Sequence, residues 1–560
     1  MSELETRHGI GVSPGTASGP VVQVAPAVRA PAAEPAAADP EAAIEQIRGA
    51  LAQVAADLEE RAARADETGQ QILKATALIA RDKGLVKSAG KLVHAGTGPA
   101  NAITGAVEEF AAQFQALGGL FAERVTDLRD VGSRAVAAVL GVPIPGVPEM
   151  VEPSVVVAED LAPAETATLD RHKVIGIITS AGGRTSHTAI LAAQMGIPAV
   201  VQVKAATEIA PGTLVALDGD TGEVMINPSP AYVAAQEEKR KKRTRAIAGL
   251  SGAGSTRDAH AVALLANIGG PEDAVAAAAQ DVEGVGLFRT EFVFLSADRA
   301  PTVEEQADIY RQVIEPFGER RVVVRTLDAG ADKPLKFADL GPEENPALGR
   351  RGLRLSAERP ELLDSQLEAL AVVARETGAD VRVMAPMVAT AEEAAWFNRR
   401  VKENGLPKAG VMIEVPAAAL RSEHILAEVE FGSLGTNDLG QYTMAADRMQ
   451  GELADLLDPW QPAVLDVIAA ACLGAARTGR PMGVCGEAGG DPLLALVLAG
   501  LGVTSLSMAP AKVPVVRLAL SMHSYPECQR LAAVARAART ARDALDAVRE
   551  EANRELVDIL

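Results

Sequence analysis

The sequence predicts a multidomain α/β protein whose C-terminal half is a (β/α)₈ barrel. The chain has 560 residues, more than one hydrophobic core normally holds. Short apolar runs alternate with helical stretches through residues 258–560, which is typical of such a barrel. A helical pattern and a smaller α/β pattern precede them, so further domains are expected before the barrel.

The N-terminal part begins with strands and continues with helices. Residues 8–24 predict two strands joined by a Gly/Pro turn, and the Ala/Pro-rich segment 27–40 marks a crossing between domains. From Glu41 to about Leu140 the apolar spacing is helical and no strand pattern interrupts it. We therefore expect a helical bundle there.

Residues 150–228 return to short strands mixed with helices, which predicts a small α/β domain. The N-terminal strands are expected to belong to it, with the helical bundle inserted between them and the rest. A polar helix at about 230–247 leads to the barrel. The predicted domains are the N-terminal strands, the helical domain, the α/β domain, a linker helix and the barrel, with bounds 1–26, 27–143, 144–229, 230–257 and 258–560.

Eight apolar runs are the predicted barrel strands. They are 262–268, 284–288, 322–326, 381–386, 410–414, 431–435, 482–486 and 504–508. Barrels of this kind carry their chemistry at the carboxyl ends of the strands.

Composition excludes several classes of function. A net charge of −20 argues against nucleic acid as the main partner, because phosphate backbones require a basic surface. Three cysteines without C-x-x-C spacing indicate a reducing compartment. The N-terminus lacks the pattern of a secretory signal, and the longest apolar run, 492–503, is too short to span a bilayer. We therefore expect a cytoplasmic protein with no membrane partner.

Charged and reactive side chains follow the predicted strands at their carboxyl ends. Arginines offer paired donors that match phosphate and carboxylate, and a lysine adds a point charge. Two carboxylates on neighbouring strands suit Mg²⁺, although either alone is equally compatible with a rim salt bridge. A thiol at a strand end can exchange a proton with carbon, although a lone cysteine is also compatible with an inert buried thiol. The candidates are Arg289, Arg325, Lys333, Arg351, Arg448, Glu414, Asn437, Asp438 and Cys485.

A histidine in the α/β domain is the second chemical signal. His187 follows Ser186, a good N-cap residue, at the predicted start of a helix. Backbone N–H groups and the positive end of the helix dipole favour an anion at this position. By itself, the pattern is also compatible with a solvent-facing histidine near a cap. Combined with an anion-binding barrel rim, it suggests phosphoryl transfer between an enol phosphate and His187.

Six segments together resemble one family. They are "GGRTSHTAI", "GVGLFRTEFVFL", "VVVRTLDAGADK", "GVMIEVPAAA", "LGTNDLGQYTMAADR" and "GVCGEAGGD". In this order they are similar to the phosphoenolpyruvate-protein phosphotransferases, Enzyme I of the bacterial sugar phosphotransferase system. The resemblance covers nearly the whole chain. It implies a swivelling phosphohistidine α/β domain with an inserted helical bundle, followed by a TIM-type barrel.

The resemblance also implies roles for individual residues. His187 would take the phosphoryl group of phosphoenolpyruvate at Nε2 and pass it to a histidine of the phosphocarrier protein HPr, as the first step of sugar uptake. HPr would dock on the helical insert, and a homodimer would form through the barrels. The implied substrate ligands are Arg289, Arg325, Lys333, Arg351, Asn437 and Arg448, the Mg²⁺ ligands Glu414 and Asp438, the general acid Cys485, and a hydroxyl partner of the phosphohistidine Thr166.

Two alternatives remain at this stage. A dikinase or phosphoenolpyruvate synthase shares the histidine motif, but such enzymes place a large nucleotide-binding domain before it, and no Gly-rich nucleotide loop occurs here. A regulatory adaptor that keeps the fold without turnover would be expected to lose a catalytic group. None of His187, Glu414, Asp438 and Cys485 is missing.

Overall fold

The structure is a computed structural model, and it divides the chain into two compact units, 1–240 and 241–560. For residues 67–69, 71–72, 116–117 and 451–452 only the backbone is described. The described residues are 5–13, 15–25, 28–63, 67–117, 124–142, 146–148, 150–161, 169–170, 173–183, 188–189, 192, 195–219, 221–295, 297, 299–330, 335, 337–338, 341, 343–448 and 450–560.

The first unit contains an eight-stranded mixed sheet with the order β1-β8-β7-β3-β4-β5-β6-β2. The N-terminal strands pair with the later ones: β3 runs parallel to β4 and antiparallel to β7. This confirms that the N-terminal strands and residues 150–228 form one α/β fold. The strands are β1 Glu5–His8, β2 Ile10–Ser13, β3 Thr16–Gln23, β4 Ser154–Ala158, β5 Val174–Thr179, β6 Ala199–Val201, β7 Leu214–Asp218 and β8 Glu223–Ile226.

Helices are inserted between β3 and β4, as predicted. Asp39 caps the first of them, because its carboxylate accepts from the backbone N–H groups of Glu41 and Ala42. The cluster they bury consists of alanine and branched aliphatic side chains at helical spacing, such as Ile47 and Leu58. The helices described here are Pro40–Ala62, Glu67–Ala80, Lys83–His94, Pro99–Leu117 and Val125–Leu140.

One helix connects the sequence of the first unit to that of the second. Pro230–Ile247 matches the predicted polar helix and has no buried residue. Such a helix takes little stability from packing, so its helical propensity and charge pairs such as Glu237–Arg240 support it.

The second unit is a closed barrel of eight parallel strands, which confirms the predicted barrel. Each strand pairs with the next, and the last pairs with the first, so the sheet has no free edge. Each predicted run contains one observed strand to within a residue or two. The strands are β9 Ala263–Ile268, β10 Gly284–Arg289, β11 Arg321–Arg325, β12 Val381–Ala385, β13 Ala409–Ile413, β14 Phe431–Leu434, β15 Met482–Val484 and β16 Ser505–Met508.

Helices surround the barrel, and several begin with well-formed caps. Thr302 with Glu305, and Thr390 with Glu393, form reciprocal capping boxes. The α-helices of the barrel unit are Pro271–Ala278, Glu291–Leu295, Val303–Ile314, Leu353–Glu358, Pro360–Thr377, Ala391–Glu403, Pro416–Leu420, Ser422–Ala427, Thr436–Met444, Pro462–Thr478, Pro492–Gly500, Val513–Ser521, Tyr525–Ala537, Ala541–Glu551 and Arg554–Ile559. Short 3₁₀-helices lie at Glu315–Phe317, Pro346–Leu348, Gly451–Leu457, Glu487–Gly490 and Pro510–Lys512, and one lies in the first unit at Ala206–Glu208.

Apolar side chains fill the barrel interior. Leu287, Met384 and Phe431 form a buried cluster there, together with the Cys485 side chain. Gly284 at the start of β10 has a φ of +137°, and a Cβ there would come within 2.3 Å of the Arg321 carbonyl oxygen. Only glycine therefore allows β10 and β11 to approach at this point.

His523 joins the C-terminal helices to the barrel. It is buried, its Nδ1 donates to the Ala519 carbonyl at 2.8 Å, and its Nε2 accepts the Asn553 N–H at 3.0 Å. Burial lowers the pKa of His523, and the charges of Glu527 and Arg257 act on it in opposite directions. The folded chain therefore favours the neutral imidazole.

Candidate active site

The predicted rim residues lie at the carboxyl ends of the barrel strands. Arg289 and Arg325 are the last residues of β10 and β11, and their Cα atoms are paired in register. Glu414 directly follows β13, and Cys485 directly follows β15. Because all eight strands are parallel, these side chains share one end of the barrel.

Arginines and carboxylates alternate along this rim. Arg325 donates to Glu291, and its Nη1 lies 3.2 Å from Asp328 Oδ2. Arg351 holds the same Asp328 through both carboxylate oxygens, at 3.3 and 2.8 Å, and reaches Asp438 at 3.3 Å. The continuous chain of ion pairs is Glu291, Arg325, Asp328, Arg351, Asp438 and Arg448, and its last pair is 3.7 Å apart.

Most of this chain is buried. Arg325 is 7 % exposed, and Arg351 and Asp328 are each 2 % exposed. Burial lowers the pKa of each arginine, but the facing carboxylates more than offset it, so both pKa values are raised and both side chains stay charged. The Nε atom of Arg325 is buried and has no hydrogen-bond partner, so one donor at this rim remains unused.

Glu414 is fully buried beside these charges. Its Oε1 accepts the Met387 N–H at 2.5 Å, whereas Oε2 is buried without a partner. Burial raises the pKa of Glu414 to about 8, with a further increase from the Asp438 carboxylate. An orphaned carboxylate oxygen at this depth calls for a cation or a proton.

The surroundings of Glu414 fit a magnesium ion shared with a substrate. A Cβ on Gly435 would lie 2.6 Å from Glu414 Oε2, so a larger residue at this position would crowd that oxygen. Within the described residues, no group of three or more His, Cys, Asp or Glu side chains is placed to hold a metal. Glu414 and Asp438 could supply two oxygens, and Mg²⁺ commonly takes one or two carboxylates and completes its shell with water and substrate oxygens.

Cys485 is the candidate thiol, at the carboxyl end of β15. It is 2 % exposed, and its Sγ lies 3.6 Å from the Leu434 carbonyl oxygen. Burial raises the pKa of the thiol to about 11, and Arg325 and Arg289 moderate the increase. Cys485 is therefore a protonated thiol near neutral pH, next to the positive charges of the rim.

Asn437 and Arg448 complete the described candidates. Asn437 accepts the Glu487 N–H at 3.3 Å, which connects the segments that follow β14 and β15. The Arg448 N–H donates to Gln441 Oε1 at 3.0 Å, which orients the loop after the helix Thr436–Met444.

Three predicted site residues lie outside the described part of the chain: Thr166, His187 and Lys333. The residues on either side of the His187 segment are described. Gln202 donates to the Gly182 carbonyl at 2.8 Å, and the buried Thr188 hydroxyl donates to Asp160 at 2.7 Å.

The sequence-based prediction missed several groups that contact the candidate site residues. Asp328 lies three residues after Arg325 in a segment rich in charge, so a strand-end carboxylate there was a detectable signal. Glu291 had the same signal after Arg289. The backbone N–H of Met387 gave no signal in the sequence. Its direction depends on the φ of +59° at Met387, and a main-chain conformation of this kind is not indicated by the type of side chain.

A buried polar network lies beneath Arg325. Gln366 donates to the Thr290 hydroxyl at 3.1 Å and to the Tyr310 hydroxyl at 2.9 Å, and accepts the Leu327 N–H at 3.0 Å. Thr290 in turn donates to the Arg325 carbonyl at 2.9 Å. The network fixes the backbone that carries Arg325 and Asp328.

Comparisons with known proteins agree with this organisation. The matching family models are described as PEP-utilising enzyme, N-terminal, over residues 8–124, mobile domain, over 150–222, and PEP-binding domain, over 248–525. A phosphoenolpyruvate-protein phosphotransferase of Streptomyces coelicolor is 49 % identical over 95 % of this chain and 96 % of its own. Proteins of the same name from Staphylococcus carnosus and Haloferax volcanii are 38 % and 37 % identical, over 86 % and 94 % of this chain and 87 % and 96 % of their own.

The barrel, the α/β fold with its helical insertion and the matching family models define an enzyme that uses phosphoenolpyruvate. More narrowly, the chain belongs to the family of phosphoenolpyruvate-protein phosphotransferases. It is an enzyme of the phosphotransferase system that transfers a phosphoryl group from phosphoenolpyruvate to protein.

Proposed function

We propose that His187 accepts the phosphoryl group of phosphoenolpyruvate bound at the barrel rim and passes it to a histidine of HPr. The observation that carries the proposal is the buried chain of arginines and carboxylates next to the protonated thiol of Cys485. These are the groups that an enol phosphate needs: donors for its anions and an acid for its carbon.

In this proposal, arginine guanidinium groups bind phosphoenolpyruvate. Arg289, Arg325, Arg351 and Arg448 are the proposed ligands of its phosphate and carboxylate, with Asn437 and Lys333 as further contacts. Paired N–H donors match both anionic groups, and burial strengthens the contacts of Arg325 and Arg351 because water screens them less.

The buried carboxylates at the rim support a role for Mg²⁺. Glu414 Oε2 is buried without a hydrogen-bond partner, and the neighbouring Asp438 carboxylate further raises the pKa of Glu414. Two neighbouring carboxylates facing an incoming phosphoenolpyruvate anion are stabilised by an added cation. We assign Glu414 and Asp438 as its protein ligands, and Mg²⁺ bound there would offset negative charge on the substrate oxygens.

The transfer then follows from the chain's own groups. The Nε2 lone pair of His187 attacks the phosphorus, the P–O bond breaks, and its electron pair remains on the enolate oxygen. The arginines hold the oxygen charges as they redistribute. The Cys485 thiol gives its proton to the methylene carbon of the enolate, which yields pyruvate. A thiol with its pKa raised to about 11 keeps that proton until the enolate forms.

The partner and the remaining residues complete the proposal. HPr would dock on the helical domain, 27–143, and Thr166 would contact the phosphorylated His187. The proposed domains are residues 1–26, 27–143, 144–229, 230–257 and 258–560. Sugar uptake, a cytoplasmic location and the absence of nucleic acid and membrane partners belong to the same proposal.

Exposed apolar side chains on the barrel support a homodimer. Leu420 is 68 % and Leu473 53 % exposed, and they lie on the packed helices Pro416–Leu420 and Pro462–Thr478. In the described residues, one stretch, Leu453–Thr478, is long and apolar enough to cross a membrane by length and composition, and a third of its apolar 18-residue window is buried in the barrel unit. A second copy covering this face accounts for the exposed leucines.

A labelling experiment tests the function. The protein is incubated with ³²P-labelled phosphoenolpyruvate and Mg²⁺, with His187→Ala as the control. We expect acid-labile, base-stable label on the wild type alone, discharged by added HPr. Folded wild-type protein that takes no label would overturn the proposal in favour of a non-catalytic adaptor, and label that HPr does not discharge would contradict the partner.

A further inference from the structure

The carboxylate of Asp328 occupies the centre of the charged rim. Its Oδ2 lies 3.2 Å from Arg325 Nη1 and 2.8 Å from Arg351 Nη2, and its Oδ1 lies 3.3 Å from Arg351 Nε. It is 2 % exposed and directly bonded to both guanidinium groups. A substrate that fits between the arginines therefore meets groups whose orientation this carboxylate sets.

We infer that Asp328 is a positioning residue for phosphoenolpyruvate, which it serves by holding Arg325 and Arg351 in one fixed arrangement. The inference rests on the proposed substrate site. An arginine side chain has several rotatable bonds, and fixing it before the substrate binds removes an entropic cost from binding. Two arginines clamped by one carboxylate are oriented relative to each other, which independent surface partners do not achieve.

The position of Asp328 is fixed from the opposite side as well. Gln366 holds the Leu327 N–H, and the Thr290 hydroxyl holds the Arg325 carbonyl. The backbone on both sides of the Arg325–Asp328 segment is thereby tied to buried polar groups. Because this backbone is held in place, the Asp328 carboxylate is also held in place, and it orients the two long arginine side chains.

Charge neutralisation alone is a different role with a different consequence. If Asp328 only reduced the positive charge of the site, its removal would strengthen the binding of an anion. If it positions the arginines, its removal weakens that binding despite the added positive charge. A carboxylate moved by one methylene separates the two roles further, because it keeps the charge and loses the geometry.

The test uses the full-length protein and the exchange of ¹⁴C between pyruvate and phosphoenolpyruvate, which needs no carrier protein. For Asp328→Asn and for Asp328→Glu, we expect the half-saturating phosphoenolpyruvate concentration to rise at least tenfold. Asp281→Asn is the matched control. Asp281 pairs with the buried Arg517 at 3.2 Å and precedes β10 at the other end of the barrel. We expect this control to leave half-saturation within twofold of the wild type.

A double-mutant cycle with Arg351→Lys separates positioning through Arg351 from an independent effect of Asp328. Positioning through Arg351 predicts that Asp328→Glu changes half-saturation less than half as much, on a logarithmic scale, once Arg351 is lysine. Additive effects, unchanged half-saturation, or wild-type behaviour of Asp328→Glu would overturn the inference. If none of the Asp328 variants folds while Asp281→Asn does, the residue is structural and the inference is likewise overturned. Absence of exchange in the wild type itself would instead contradict the proposed function.

Discussion

The network beneath Arg325 leads to a quantitative prediction for Gln366→Leu. Gln366 is 1 % exposed and makes the three hydrogen bonds to Thr290, Tyr310 and Leu327. Leucine has a similar size and none of these bonds, and the Leu327 N–H is left buried without an acceptor. At about 1 kcal/mol for each bond, the free energy of unfolding should fall by about 3 kcal/mol.

That loss should be visible as a lower unfolding temperature of the barrel. For a large domain each 1 kcal/mol shifts the midpoint by about 2 °C, so Gln366→Leu should lower it by about 6 °C in calorimetry. The pyruvate exchange rate at low phosphoenolpyruvate should fall about tenfold, because the loosened backbone carries Asp328. A midpoint within 1 °C of the wild type would refute the assignment of the three bonds.

Gln306→Leu is the matched control. Gln306 accepts from Tyr310 at 3.1 Å and donates to the Pro301 carbonyl at 3.0 Å, so it belongs to the same network without touching Leu327. Its replacement should also destabilise the barrel but should leave exchange at low phosphoenolpyruvate near the wild-type rate. Equal losses of exchange in the two variants would show that the network stabilises the fold without orienting the site.

Three further predictions concern single groups. The pKa of Cys485 is raised from 9.0 to about 11, which lowers the fraction of reactive thiolate. At pH 8, Cys485 should therefore react with iodoacetamide about 100-fold more slowly in the native protein than in the unfolded protein. Rapid alkylation of the native protein would contradict this prediction. The pKa of His523 is lower in the folded chain than in the unfolded chain, so the unfolded chain binds more protons at acidic pH. The contribution of His523 to the free energy of unfolding should therefore be lost as the pH falls below about 6.5. Urea midpoints at pH 7 and pH 5 should therefore differ more for the wild type than for His523→Gln, and an equal difference would refute the assignment. Gly435→Ala should raise the half-saturating Mg²⁺ concentration about tenfold, because the new Cβ crowds Glu414 Oε2. Gly440→Ala, whose Cβ would lie in open space, should leave that concentration unchanged. Equal behaviour of the two variants would place the metal elsewhere.

The fold was predictable because its signals are local. A barrel strand buried on both faces is a short apolar run, and each of the eight runs can be recognised without knowing its neighbours. The insertion of helices between β3 and β4 was also predictable, since strand patterns resume only after them. The exact domain bounds stay predictions.

The residues of the candidate site were predictable from the sequence, but the contacts between their side chains were not. Parallel strands bring their carboxyl ends together, so naming Glu414, Asp438 and Cys485 required only strand ends. Sequence-based reasoning named Arg351 as an anion ligand, and the structure adds that its side chain is 2 % exposed and paired with Asp328 and Asp438. Which arginine meets which carboxylate depends on side-chain directions across strands, and no spacing along the chain encodes that.

By itself, the sequence determined the class of fold, the family and the residue types available for the chemistry. Those features depend on apolar periodicity and on motifs of a few adjacent residues. Only the tertiary structure decided that Asp328 joins two arginines, that Glu414 keeps one oxygen without a partner, and that Cys485 is buried enough to hold its proton. Burial and contact are properties of segments that lie far apart in the chain, so they exist only once the barrel has closed and excluded water from its rim.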